Sequence, residues 1–169
     1  MVIKLLGCTM VAAAAACLGF QAAARLRGQL RALDEVTAGL GLLEQELELY
    51  APELEVLMGS LRDRTRGTAK GLFAGFAREL AEGSGSISGR WEACVSGLEE
   101  LSSEGKYCLC SLGEVLGRYD SREQRDCVAA VRRRLEYLRE SEGERCRSRC
   151  RTCQTVGLSG GAFLIILLL

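Results

Sequence analysis

The chain has 169 residues, enough for one domain, and its hydrophobic share of 48% is too high for a disordered chain. Its 22 basic and 22 acidic residues cancel, so the whole-chain charge offers no electrostatic case for binding nucleic acid. There is no histidine, which excludes Ser-His-Asp and Cys-His catalysis and every histidine-dependent zinc or haem site.

One proline and few aromatic or β-branched residues stand against many Leu, Ala, Glu and Arg. That composition favours helix throughout and predicts an all-α protein. No Gly-x-x-x-x-Gly-Lys-Ser/Thr loop is present, since Gly67 and Gly71 flank only Thr-Ala-Lys. The chain is therefore not expected to hydrolyse a nucleotide, and any energy source belongs to a partner.

From Leu5 to Ala24 run 20 residues without a charge, which at ~1.5 Å rise span the ~30 Å hydrocarbon core of a bilayer. A cleaved signal peptide is the rival reading, with Lys4 as its basic start and an A-x-A site at Ala22 and Ala24. Leu6-Gly7-Cys8 resembles a lipoprotein box, but almost no apolar region precedes it. A second apolar segment at the other end of the chain favours an uncleaved anchor over residues 1–24.

Beyond it, Leu26, Leu30, Leu33, Thr37, Leu40, Leu43 or Glu44, Leu47 and Tyr50 recur at steps of four and three, a coiled-coil-like stripe. Gly39 and Gly41 interrupt that helix and signal either a kink or the close approach of a second helix. Pro52 separates it from a second helix with Leu54, Leu57, Met58 and Leu61 on its apolar face. The charged segment Arg62 to Lys70 contains Gly67 and reads as a solvated connection, ahead of a contact with lipid or an acidic partner.

Leu72, Phe73, Phe76, Ala77 and Leu80 define a third helix, stopped by Gly83 to Gly85. A fourth carries Ile87, Trp91, Cys94, Val95, Leu98 and Leu101, with Trp91 the largest apolar group available to a small core. After a break at Ser102 to Gly105, a fifth helix is predicted over Tyr107–Gly117. There Gly113 and Gly117, four apart, would stack on one face and admit another backbone, with Leu112 and Leu116 as an apolar row beside them.

Asp120 and Ser121 then offer side-chain oxygens to free amides, and Gln124 follows Ser121 at the capping-box spacing. Leu112 to Gln124 thus forms a tight helix-to-helix corner. A sixth helix begins at Ser121 with Val128, Val131, Leu135 and Leu138 inward. Its apolar face ends at Leu138, and residues 139–155 form a polar, Cys- and Arg-rich stalk. Val156 to Leu169 is uncharged and reads as a short second membrane span. The organisation expected is an anchor over 1–24, a helical bundle over 25–138, the stalk over 139–155 and the second span over 156–169.

Arg25, Arg27 and Arg31 follow the first span, and Arg145, Arg147, Arg149 and Arg151 precede the second. By the positive-inside rule both place the middle domain in the cytoplasm and the termini across the membrane. Thiols there stay reduced. Cys108 and Cys110 point to different faces of a helix. Cys146, Cys150 and Cys153 have the C-x3-C-x2-C spacing of radical iron-sulfur enzymes, but without βα alternation the spacing reads as one helix face. No metal, cofactor or catalytic residue is assigned.

With these elements placed, the chain resembles the stage III sporulation protein AB family along essentially its whole length. The resemblance rests on Gly19-Phe20, on Glu46, Tyr50 and Pro52, on Phe73, Phe76, Leu80 and Trp91, and on the Leu112-Gly113, Leu116-Gly117, Asp120 and Gln124 run. Val156-Gly157, Gly161 and Ile165 to Leu169 complete it. Leu47 and the cysteine-rich stalk depart from the family pattern, outside its specific part.

The resemblance implies a non-enzymatic membrane component of the secretion channel between mother cell and forespore. It implies a cytoplasmic domain similar to type II secretion platform proteins, and a stage III sporulation protein AA-like ATPase and other channel membrane proteins as partners. The expected location is the mother-cell side of the forespore envelope. Arg118, Asp120 and Arg122 on the corner are the expected partner contact, unless Asp120 merely caps a helix, and Gly157 and Gly161 are expected to pack membrane helices. Two alternatives are a membrane-attached redox or iron-sulfur protein using the cysteines and a generic helical scaffold.

Overall fold

The computed structural model describes residues 21–49, 53–83, 85–117 and 120–145, together with the course of two long helices that run beyond them. Six α-helices occur among the described residues: α1 (Val2–Leu49), α2 (Leu54–Arg64), α3 (Gly67–Glu82), α4 (Ile87–Ser96), α5 (Ser103–Cys110) and α6 (Ser121–Leu168). A 3-10 turn, Ser111–Glu114, follows α5, and there is no strand among the described residues. The chain divides into two units, one of residues 29–140 and one of residues 1–28 with 141–169.

The larger unit holds the apolar core. On α1, Leu33, Val36, Leu40, Leu43 and Leu47 are buried in steps of three and four, so the predicted stripe exists with one correction. Val36, rather than Thr37, lies in the core. Thr37 turns aside toward α6, lining the groove that α6 makes with α1, and Glu44, the alternative to Leu43, pairs with Arg132 of α6 at 3.0 Å. Tyr50 lies outside the described residues. The predicted inward residues of α2 and α3 are buried or half-buried, as are Trp91, Val95 and Leu101 around α4 and Val128, Val131, Leu135 and Leu138 on α6.

Local chemistry sets the ends of these helices. Ser86 accepts from the Gly89 N–H at 3.1 Å and opens α4, a cap worth about 1 kcal/mol. Ser102 does the same for α5 through the Gly105 N–H. Gly83 closes α3 in the left-handed conformation, φ 72°, which only glycine adopts without a Cβ penalty. Residues Ser102 to Gly105, predicted as a break, are thus the cap and first turn of α5.

The fifth helix differs from its prediction at the other end as well. It stops at Cys110, tightens into the 3-10 turn, and reaches Gly117 in the left-handed region at φ 75°. Gly113 and Gly117 therefore do not stack on one α-helical face. Leu112 and Leu116 are both buried nonetheless, bridged by the Leu116 N–H donating to the Leu112 carbonyl at 3.0 Å.

Gly39 answers the kink question in favour of close approach. A Cβ there would stand 2.8 Å from the Phe73 ring and 3.1 Å from Ala69 Cβ, so α3 lies almost on the α1 backbone. Glu35, one turn earlier, accepts from the Thr68 N–H at 2.7 Å and puts a carboxylate on the positive end of α3. Contacts of 35 with 68 and of 39 with 69 and 73 rise together, so α1 and α3 run parallel.

Among the described residues no helix is long and apolar enough to cross a membrane. The stretches expected to do so, Leu5 to Ala24 and Val156 to Leu169, lie almost wholly outside the residues whose side chains are described. Their backbones belong to α1 and α6, which show no break at the expected boundaries near residues 25, 139 and 156.

Candidate partner-docking corner

The corner gathers the 3-10 turn after α5 and the starts of α2, α4 and α6 near the end of α1. Gly113 sits under Trp91: a Cβ there would stand 2.9 Å from Trp91 Cδ1 and 3.2 Å from the Ser88 carbonyl oxygen. Another element does approach Gly113 closely, and it is α4. At Gly117 a Cβ would meet Ile87 Cδ1 at 3.1 Å and Leu54 Cδ2 at 3.4 Å, so the starts of α2 and α4 both lean on the turn. With φ at 75° any side chain is strained there. Trp91 is itself fixed by an edge-to-face contact with Phe76, centroids 5.0 Å apart, and by its indole N–H donating to the Leu109 carbonyl at 2.7 Å.

Beyond the turn, Asp120 precedes the first residue of α6. Its Oδ1 accepts from the Ser121 N–H at 2.8 Å and its carbonyl accepts from the Gln124 N–H at 3.0 Å. Asp120 therefore stands at the N-cap of α6, the capping role expected of it if it is not a partner contact, one residue before the Ser121–Gln124 spacing. The Gln124 Oε1 accepts from the Gly117 N–H at 3.5 Å, a long bond that links the turn to the helix it feeds.

Asp120 and Arg122 are exposed, and Arg122 forms no ion pair among the described residues. Arg118 lies outside the described residues. Arg125, one turn on, approaches Glu48 of α1 at 3.9 Å, and Leu49 and Val56 are exposed near the same end of the bundle. The corner thus joins a rigid apolar base, set by Trp91 and Ile87, to a charged outer surface. Gly157 and Gly161 lie on the course of α6, outside the residues whose side chains are described.

The cysteines described offer little chemistry. Burial pushes the thiols of Cys94, Cys110 and Cys127 above their ordinary range, with Glu79 adding to the effect at Cys94 and Glu92 at Cys110. All three are protonated at neutral pH and poor nucleophiles. Cys146, Cys150 and Cys153 lie outside the described side chains. Among the described residues no three Cys, Asp or Glu side chains gather as a metal ion requires.

Sequence reasoning missed the ion pairs between α1 and α6. Asp34 pairs with Arg139 at 2.7 Å, Glu44 with Arg132 at 3.0 Å and Glu48 with Arg125 at 3.9 Å. Residue numbers fall on α6 as they rise on α1, so the two helices are antiparallel. Charges at these spacings along a polar helix face were the available signal, but nothing local tells which distant helix they meet.

The sequence pattern of the stage III sporulation protein AB family matches residues 4–169. Stage III sporulation protein AB of Bacillus subtilis (strain 168) is 25% identical over 171 residues, covering 99% of each chain. A solved structure of stage III sporulation protein AB (SpoIIIAB) is similar in fold, with a TM-score of 0.62 at 21% identity, covering 70% of this chain and 96% of that one.

Proposed function

The chain belongs to the stage III sporulation protein AB family, and we propose that it serves the sporulation complex as a membrane-anchored adaptor between a cytosolic ATPase and a mother cell to forespore secretion channel. Its work in this reading is mechanical and non-enzymatic. The uncharged stretches Leu5 to Ala24 and Val156 to Leu169 support two membrane anchors on the mother-cell side of the forespore envelope, and their basic flanks support a cytoplasmic bundle.

The observation that carries the reading is the corner. Gly113 is packed against Trp91 and Gly117 against Ile87 and Leu54, while Asp120 and Arg122 are exposed. Exposed charges held on a packed scaffold are where binding residues concentrate, which supports a docking role for this corner. Arg118, Asp120 and Arg122 are the proposed contacts for a stage III sporulation protein AA-like ATPase.

Binding of the detergent-solubilised chain to that ATPase tests this. Arg118→Glu is expected to abolish binding with helicity unchanged, and Asp120→Ala to weaken it. A folded chain that does not bind the ATPase removes the motor coupling and leaves a general scaffold.

A further inference from the structure

The seven arginines that border the two uncharged stretches differ from the rest of the charge on the chain. Residues 25–31 and 145–151 hold all seven and no acidic residue, which leaves 15 basic against 22 acidic residues elsewhere. The neutral total therefore hides two short basic belts in an otherwise acidic chain, and attraction for a large anionic surface is confined to them.

Within the belts the arginines stand in pairs. Arg27 and Arg31 are four apart on α1, both exposed and without an ion pair among the described residues. Asp34 and Glu35 follow Arg31 at the right spacing to neutralise it, but Asp34 pairs with Arg139 and Glu35 accepts from the Thr68 N–H. On α6 the positions of Arg145 and Arg149, and of Arg147 and Arg151, repeat the spacing of four. Arg149 and Arg151 have no acidic residue three or four positions away on either side. Like charges four apart on a helix repel and lower its stability. An anion between two such guanidinium groups reverses the sign, since a phosphate accepts from both.

We propose that these arginine pairs bind the phosphates of anionic phospholipid headgroups, an inference that rests on the two membrane anchors of the proposed function. Steps of two turn an α-helix by about 200°, so positions 145 and 149 share one face of α6 and positions 147 and 151 the opposite one. A protein docked on α6 covers one of these faces; a headgroup layer surrounds the helix and reaches both. From residue 145 to residue 151 the helix rises about 9 Å, comparable with the depth of about 5–8 Å of one headgroup layer. The belts also stand where such a layer must lie: 20 uncharged residues precede Arg25, and the 18 residues after Arg151 carry no charge. Orientation by the positive-inside rule needs only the number of basic residues near a span, whereas headgroup binding uses their pairing.

The test is electron paramagnetic resonance of the full chain reconstituted in phosphatidylcholine vesicles, with spin-labelled phosphatidylglycerol or spin-labelled phosphatidylcholine as the reporter. Lipid held at the protein gives a motionally restricted component. The wild type is expected to hold phosphatidylglycerol about fivefold better than phosphatidylcholine, the factor that one basic residue contributes at an anionic surface. Salt at about 1 M, with a screening length of about 3 Å, should reduce that preference. Arg27→Gln, Arg149→Gln and Arg151→Gln in one chain break every pair and are expected to abolish it. Arg133→Gln with Arg134→Gln, exposed arginines outside the belts, should leave it unchanged. Equal restriction of both lipids, a preference that survives the triple variant, or the same loss in the Arg133 and Arg134 variant overturns headgroup binding and leaves the anchors standing. No restricted component with either lipid overturns the anchors as well.

Discussion

The indole N–H of Trp91 donates to the carbonyl oxygen of Leu109 at 2.7 Å, inside the core. This bond ties α4 to the last turn of α5, so the geometry of the corner depends on it. Trp91→Phe keeps most of the apolar volume and loses this bond, while the Leu109 carbonyl still accepts from the Ser111 N–H, at a cost of about 0.5–1.5 kcal/mol. Trp91→Ala also opens a cavity beside Phe76 and Gly113, for about 3–5 kcal/mol. Denaturant unfolding of the two variants checks the order: both lack the indole N–H, so equal losses would mean that the ring's packing contributes nothing beyond the hydrogen bond.

Gly39 and Gly71 are both helical glycines and should respond to alanine in opposite directions. At Gly71 a Cβ meets nothing within 4 Å, so Gly71→Ala is expected to stabilise by about 0.5–1 kcal/mol through the unfolded chain. At Gly39 the same helix gain of about 1 kcal/mol is opposed by a Cβ 2.8 Å from the Phe73 ring. Phe73 is fully buried and has no room to swing, so overpacking of about 1–3 kcal/mol prevails. A lower thermal midpoint for Gly39→Ala beside a higher one for Gly71→Ala is the predicted pair of results.

These positions also show what sequence alone could reveal. The inward faces of α3 and α6 were legible because the apolar residues of each keep a 3.6 period. The α1 stripe was legible except at residue 36, where steps of three and four allow either Val36 or Thr37 and only the position of α6 decides. The end of α5 was not legible, since the tightening after Cys110 answers the tertiary contact of Gly113 with Trp91 and Ser88. Its start was within reach: Ser102 as cap and Glu104 in the first turn are ordinary start signals. At the corner, the sequence offered both Asp120 and Ser121 as caps, and the backbone places Asp120 in that role.

The ion pairs between α1 and α6 should differ in strength according to exposure. Asp34 and Arg139 are 53% and 52% exposed, whereas Glu44 and Arg132 are 26% and 31% exposed. Solvent screens the outer pair, so a double-mutant cycle is expected to give about 0.5 kcal/mol or less there, and about 1 kcal/mol for Glu44 with Arg132. Salt should weaken the outer coupling first. Equal couplings at both positions would show that burial does not govern them.

The half-buried thiols make stability fall in alkali. Burial raises Cys94, Cys110 and Cys127 above the ordinary value of 9.0, so the folded chain holds those protons more tightly than the unfolded chain does. The associated stability is complete below the unfolded value. It is lost as pH rises through the unfolded value and on toward the higher folded one. Unfolding measured from pH 7 to pH 10 should therefore show a decline setting in near pH 9 that Cys94→Ala, Cys110→Ala and Cys127→Ala together reduce. Alkylation of the same thiols should be slower than that of a free cysteine peptide at pH 7 and should rise with pH, because only the thiolate attacks. Peptide-like rates at all three positions would mean that the packing of α4, α5 and α6 leaves them open to water.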